Sequence, residues 1–131
     1  MQNVYYGKYF EYFEQGRSDF LRALGMPYRA LEEQGFLLPV IEAFASYRGP
    51  ARYDDLLYVE TRFCEAPGSR IRLEYSVRRE REGATLVEGY TVHTFILASS
   101  RKPVRPPASF LDLMNKAINE QEKSNGEKRA S

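Results

Sequence analysis

The chain has 131 residues, which suits one domain with a buried core and is short for two. Hydrophobic residues make up 43% of it, which argues against global disorder. Nineteen Lys and Arg residues against eighteen Asp and Glu leave a net charge of +1, so bulk charge gives no reason to expect nucleic acid as a partner. No signal peptide or membrane helix is recognisable, and the single cysteine, Cys64, excludes an intrachain disulfide and favours a reducing cytoplasm.

The first predicted element is a long helix within Val4–Gly25. Gly25 stands where a C-cap glycine belongs, and Pro27 prevents the helix from continuing. Steps of three, four and seven separate the bulky apolar residues, which is the period of one buried helix face. These residues are Tyr6, Tyr9, Phe10, Phe13, Phe20, Leu21 and Leu24. Because so aromatic a face needs a large concave partner, we expect one helix held in a curved sheet.

The middle of the chain predicts a short helix and then a series of strands. The helix covers Tyr28–Gln34 and is closed by Gly35. Phe36–Tyr47 is apolar almost throughout and predicts a strand, in which Pro39 indicates an edge position or a bulge because proline has no N–H. Alternating strands follow at 57–64, 70–78 and 85–98. Short turns between them favour antiparallel pairing.

A last helix is predicted near the C-terminus, with Ser109 as its N-cap and Asp112 three residues further on. From about Gln121 the sequence has no apolar residue larger than alanine and is typical of a disordered tail. We therefore predict a single α+β domain over residues 1–120 and a disordered tail over 121–131.

Isolated residues give only weak signals of chemistry, because P-loop, paired-cysteine and GxSxG patterns are missing. His93 lies in a strand, and we interpret it as a hydrogen-bonded structural or interface histidine; a pair with Cys64 is the less favoured alternative. Glu14 lies three residues before Arg17, so an ion pair with it is favoured, and a role as a stand-in base is the alternative. Glu42 lies in an apolar run, so a buried, paired glutamate or a desolvated stand-in base is expected there.

Whole segments carry a more specific signal, in their order and spacing: VYYGKYFEYFEQGR, LPVIEAFASYRGPARYDDLLYVET, GYTVHTF and KPVRPP. Over about residues 1–107 the chain resembles the hotdog-fold acyl-CoA thioesterases of the 4-hydroxybenzoyl-CoA thioesterase-like family. The resemblance implies a long helix wrapped by a curved antiparallel sheet, with subunits paired edge to edge as homodimers or homotetramers. It implies hydrolysis of an acyl-CoA thioester to a carboxylic acid and free CoA, without a metal or redox cofactor.

The same resemblance locates the expected active site at the start of the long helix. Family members carry a pattern like D-x-M-G-x-V-Y-Y, whose end is matched by Met1, Val4, Tyr5 and Tyr6, while Gln2 replaces its glycine. The family's catalytic aspartate would lie two residues before Met1, so we expect one more strand upstream of this chain. The alternatives are a weakened enzyme and a non-catalytic protein that binds acyl-CoA or acyl carrier protein.

By resemblance, the Tyr6 backbone N–H would point at the thioester carbonyl, Tyr5 would lie beside the acyl group, and Gly7 would allow the backbone to approach the ligand closely. Unpaired N–H groups and the helix dipole favour an oxyanion at that place. Core packing is the alternative for both tyrosines. The phosphates of CoA need cations and N–H groups, which two turns would supply and a second subunit would complete; a solvated basic loop is the alternative. The residues in question are Ser69, Arg70, Arg101, Lys102 and Arg105. A dehydratase is disfavoured, because His93 lies late in a strand.

Overall fold

The computed structural model describes residues 8–50, 56–63, 69–80 and 83–130, apart from the side chains of Phe63 and of 121–130. The helices are α1 Lys8–Leu24, α2 Tyr28–Glu33 and α3 Ala108–Ala130. The strands are β1 Phe36–Leu37, β2 Val40–Tyr47, β3 Tyr58–Phe63, β4 Arg70–Arg78, β5 Thr85–Thr94 and β6 Ile96–Leu97.

The main sheet is antiparallel, with its described strands in the order β2-β5-β4-β3, and β1 pairs separately with β6. Helix α1 packs against this curved sheet, so the predicted α+β architecture is confirmed. The prediction for Pro39 is also confirmed. β1 and β2 are separated at this residue, β2 lies at the edge of the sheet, and the register shifts between Val40 and Glu42.

Alternation along the strands and the period of α1 place the core between helix and sheet. In β4, residues of one parity are buried: Ile71, Leu73, Tyr75 and Val77. Tyr9, Phe13 and Leu21 of α1 are buried against them, and the Phe13 ring stacks on Tyr75 with 4.5 Å between centroids. Phe10 is 40% exposed, so the buried face of the helix is narrower than predicted.

Gly89 in β5 allows α1 to lie close to the sheet. A Cβ at this position would stand 2.5 Å from the Phe13 ring and would also meet the Phe44 carbonyl oxygen of β2. Only a residue without a side chain leaves both the ring and the backbone in place.

Glycine ends both early helices as predicted, whereas the start of α3 differs from the prediction. Gly25 and Gly35 follow α1 and α2 with φ of 95° and 89°. Helix α3 starts at Ala108, and the Pro107 carbonyl accepts hydrogen bonds from Phe110 and Leu111. The N-cap predicted at Ser109 is therefore wrong, because Ser109 lies inside the first turn.

The backbone of α3 continues as a helix to Ala130. The sequence favours a disordered tail over 121–131, but the side chains of that segment lie outside the described residues. The domain limits of 1–120 and the disordered tail therefore stay predictions.

Candidate active site

The three residues predicted to form the catalytic centre, Tyr5, Tyr6 and Gly7, lie outside the described residues. The description begins one residue later, at Lys8, in the first turn of α1. Their roles therefore stay predictions, and the described residues show what surrounds the start of the helix.

Helix α1 begins beside the end of the edge strand β2. The buried ring of Tyr9 lies 5.4 Å from the ring of Tyr47, the last residue of β2, and 5.8 Å from that of Tyr12. On the surface of the same turn, Lys8 Nζ pairs with Glu11 at 2.8 Å. The N-terminal end of the helix, where the dipole favours negative charge, thus borders the edge of the sheet.

That edge carries apolar side chains in contact with solvent. Val40, Ile41, Phe44 and Tyr47 are 40–50% exposed. Among the described strands, only β5 pairs with β2, so no described strand occupies the other side of β2. An exposed apolar edge strand of this kind is a template for pairing with another strand.

The two basic turns predicted to contact CoA lie next to each other. The Phe95 N–H donates to the Ser69 carbonyl at 3.0 Å, and the Phe95 carbonyl accepts from the Val104 N–H at 2.9 Å. Residues 69–70 and 103–105 therefore lie on either side of Phe95, a buried residue of the core. The structure brings the predicted cations into one region.

Exposure and backbone geometry in this region are compatible with a ligand site. All five predicted residues are exposed, and within the described ranges none of the four cations pairs with a carboxylate. The second turn is closed by the Leu97 N–H, which donates to the Lys102 carbonyl at 3.1 Å. Arg101 in that turn has φ of 62°, in the left-handed region.

Within one chain, however, the basic turns lie far from the start of α1. Tyr47, beside that start, pairs with Val87, whereas Arg70 pairs with Thr94 at the other end of β5. Seven residues of strand separate the two rows, which corresponds to ~20 Å. The structure thus joins the predicted cations to each other but does not join them to the predicted catalytic end of the helix.

Both carboxylates weighed from the sequence lie on the surface. Glu42 is exposed and accepts a hydrogen bond of 2.6 Å from the Tyr90 hydroxyl, which raises the pKa of Tyr90. Glu14 is exposed, and among the ion pairs between described residues none joins it to Arg17. The buried Glu42 and the Glu14–Arg17 pair are wrong predictions, and neither carboxylate reaches the core as a base.

A buried polar cluster that the sequence analysis missed lies under α1. Tyr75 and Thr91 hydrogen bond at 2.7 Å, and Thr91 hydrogen bonds to His93 at 2.8 Å. His93 is fully buried, and burial together with the nearby charge of Arg17 lowers its pKa to about 4. The prediction of a hydrogen-bonded structural histidine is confirmed. The sequence signal for its partners, Tyr75 and Thr91, was a polar group at a position of β4 or β5 whose side chain faces inward.

A groove of about 520 Å³ lies between α1 and β3, at the sheet edge opposite β2. Its lining residues are Tyr12, Gln15, Gly16, Asp19, Phe20, Leu57, Val59 and Thr61.

No described helix is long and apolar enough to cross a membrane. The described residues also contain no group of three or more His, Cys, Asp or Glu suited to a metal ion.

The sequence profile of the thioesterase-like superfamily matches residues 1–114. The chain belongs to this superfamily. The acyl-CoA thioesterase YbgC of Haemophilus influenzae is 36% identical over 77 residues, which are 58% of this chain and 57% of that protein. A hypothetical protein from Thermus thermophilus has a TM-score of 0.81 and 32% identity, covering 89% of this chain and 88% of its own. A DHNA-CoA thioesterase from Staphylococcus aureus has a TM-score of 0.80 and 27% identity, covering 97% and 84%. The chain has the hotdog fold of these relatives, which also support thioester hydrolysis as its general activity.

Proposed function

We propose that the protein is an acyl-CoA thioesterase, which hydrolyses an acyl-CoA thioester to a carboxylic acid and free CoA. The observation that carries the proposal is the superfamily match over residues 1–114, on a chain whose buried helix begins beside an exposed sheet edge. The names of two similar proteins, the acyl-CoA thioesterase and the DHNA-CoA thioesterase, support a CoA thioester as substrate. The lone cysteine favours the reducing cytoplasm as its location.

In the proposed reaction, the Tyr6 N–H and the positive end of the α1 dipole stabilise the oxyanion that forms on the thioester carbonyl. By the family resemblance, an aspartate two residues before Met1 either takes a proton from a water whose oxygen adds to the carbonyl, or adds to the carbonyl itself and forms a mixed anhydride that a water then hydrolyses. In both routes the C–S bond breaks, the carboxylic acid keeps the oxygen of the water, and the CoA thiolate takes up a proton that the water gave up. Tyr5 contacts the acyl group, and Gly7 leaves room for it.

We propose further that the working unit is a dimer paired through β2, on the support of its exposed apolar residues and of an outer side that no described strand occupies. In a dimer with a two-fold axis at this edge, the β2 strands of the two subunits pair antiparallel. The start of β2 in one subunit then lies beside the end of β2 in its partner. The basic turns of one subunit then approach the start of α1 in its partner. This pairing would bridge the ~20 Å that separates them within one chain.

A panel of short, medium and aromatic acyl-CoAs tests the activity by release of free thiol. The 131-residue chain is compared with a version whose N-terminal extension places an aspartate two residues before Met1. A matched version carries asparagine at the same place. We expect turnover with the aspartate and a loss of ~100-fold or more with asparagine. No thiol release from any version would overturn the proposal.

Binding of a non-hydrolysable CoA thioether separates an enzyme from a protein that only binds CoA thioesters. Affinity without turnover in the aspartate version would identify the non-catalytic alternative. Arg70→Gln and Arg105→Gln each remove a cation at the predicted phosphate site, so we expect each to weaken binding by roughly fivefold to tenfold. Arg29→Gln serves as the matched control, since Arg29 lies on α2 and pairs with Glu33.

A further inference from the structure

Phe10 belongs to the apolar period of α1, yet this residue is 40% exposed. Its ring meets the ring of Phe13 edge to face, with 5.7 Å between the centroids. Phe13 is itself buried and stacks on Tyr75 of the sheet. The Phe10 ring is therefore held in place by the core while part of it faces solvent.

The Phe10 side chain lies on the flank of α1 that faces the edge strand β2. The opposite flank is marked by Tyr12 and Gly16, which line the groove along β3. Two residues of a helix are ~200° apart around its axis when one residue separates them, so Phe10 and Tyr12 point to opposite sides. Because β2 and β3 are the two edges of the described main sheet, Phe10 points toward β2.

The direction of side chains on a helix places the Phe10 ring over the start of α1. Side chains lean toward the helix N-terminus, so each covers the surface of the turn before its own Cα. Residue 10 lies in the first described turn, which begins at Lys8. The ring therefore lies beside the end of the helix at which the proposed reaction forms its oxyanion. This step rests on the proposed function, because that function locates the thioester carbonyl there.

The strand on this side of the helix has small side chains next to the ring. Tyr47 packs against Tyr9 of α1, so the residues of β2 with the same parity, Ala45 and Ala43, also face the helix. Two alanines leave room between Phe10 and the edge of the sheet. Tyr47, itself 40% exposed, adds a second aromatic ring at the end of the strand. The acyl group would thus have an aromatic surface on one side and space on the other.

We propose that Phe10 determines the acyl specificity of the proposed thioesterase: its ring lines the acyl site and favours a flat, aromatic acyl group. A planar ring bonded to the thioester carbonyl can stack on Phe10 or meet it edge to face, and such pairs are favourable beyond the area that they bury. A saturated ring of the same size is thicker and has no π-system. Phe10 takes no part in making or breaking bonds, so it is a specificity residue and not a catalytic one.

The first test compares benzoyl-CoA with cyclohexanecarbonyl-CoA, whose acyl groups have the same number of carbons and differ in flatness. In the version that carries the upstream aspartate, we expect Phe10→Leu to lower the ratio of the two kcat/KM values, benzoyl over cyclohexanecarbonyl, by about threefold to tenfold. The intrinsic reactivity of each thioester and the fraction of folded enzyme both cancel in this change, so a merely structural effect does not produce it.

Two variants serve as controls for the turnover ratio. Phe10→Tyr keeps the ring and should keep the ratio of the parent. Phe20→Leu is the same change on the other flank of α1, in the groove along β3, and should leave the ratio unmoved. An unchanged ratio in Phe10→Leu, or an equal fall in Phe20→Leu, would overturn the assignment of Phe10.

The second test measures binding to the 131-residue chain and so separates this inference from the proposed function. Benzyl-CoA and cyclohexylmethyl-CoA are thioethers that cannot be hydrolysed, and their affinity ratio should fall in Phe10→Leu by the same threefold to tenfold or so. That fall without thiol release from any version would overturn the hydrolysis and support the acyl site at Phe10. Equal affinity ratios in the parent chain and Phe10→Leu, or binding of neither thioether to the parent chain, would overturn the acyl site.

Discussion

Arg101 combines a strained backbone with a charge in the predicted CoA site. Its φ of 62° costs a residue with a Cβ about 1 kcal/mol, a strain that glycine does not have. Arg101→Gly should therefore raise the free energy of unfolding by up to ~1 kcal/mol while it weakens CoA binding. Urea unfolding and a CoA titration measure the two effects separately. Arg101→Gln removes the charge and keeps the strain, so it should lose affinity without gaining stability. Full affinity in both variants would remove Arg101 from the site.

Single residues were predictable from the sequence where their role depends on local chemistry. Gly25 and Gly35 were recognised as caps, since a helix end needs a left-handed residue. The partners of His93 were not, because Tyr75 and Thr91 are 16 residues apart and meet only through the register of β4 with β5. Glu42 was misread as buried for another reason: the apolar run around it predicts a covered strand, whereas its neighbours Ile41 and Phe44 are themselves 46% and 50% exposed.

At the scale of elements, the contact of α1 with the sheet depends on Gly89. Gly89→Ala would drive a Cβ into the Phe13 ring and the Phe44 carbonyl, and that carbonyl belongs to the paired strand β2. We expect a loss of about 2–4 kcal/mol in the free energy of unfolding, measured in urea. The matched change Gly25→Ala adds a Cβ with nothing within 4 Å and should cost only the ~1 kcal/mol of its backbone conformation. An equal loss in both variants would mean that the helix can move away from the sheet.

The start of α3 gives a second prediction for an element. If Ser109 capped the helix, Ser109→Ala would cost about 1 kcal/mol. Because the Pro107 carbonyl already accepts from Phe110 and Leu111, we expect Ser109→Ala to stay within ~0.5 kcal/mol of wild type. Phe110→Ala is the contrasting change, since its buried ring lies 4.9 Å from that of Phe95, and should cost about 3–5 kcal/mol. Thermal or urea unfolding distinguishes the two variants. A loss of about 1 kcal/mol in the free energy of unfolding of Ser109→Ala would show that Ser109 caps α3 after all.

For the whole molecule, the sequence was sufficient to predict the long helix, the antiparallel strands and the family of the chain. The period of the apolar residues and the order of the segments can both be read within one chain. How the site is completed was not predictable in that way. The basic turns and the start of α1 lie at opposite ends of β5, and only the three-dimensional register reveals that distance. Assembly through β2 is therefore the statement about the molecule that most needs a test.

The geometry of β2 indicates a variant that separates assembly from folding. The Arg48 N–H donates to the Leu86 carbonyl, so by the alternation of an antiparallel pair the amides of Ser46 and Phe44 also face β5. The amide of Ala43 then points away from the sheet. Proline at 43 removes this outward donor and places a ring on the outer side of β2, without loss of a hydrogen bond to β5.

We therefore expect Ala43→Pro to remain folded and to be a monomer at concentrations at which the parent chain is a dimer, as sedimentation or light scattering would measure. Ala43→Gly keeps the amide and should remain a dimer, which excludes loss of the methyl group as the cause. If the active site is shared between subunits, acyl-CoA turnover in the aspartate version should fall with the dimer, because the cations of one subunit no longer reach the α1 start of the other. A parent chain that is already monomeric, or a dimeric Ala43→Pro, would show that β2 is not the interface; a fully active monomer would show that one chain holds CoA alone.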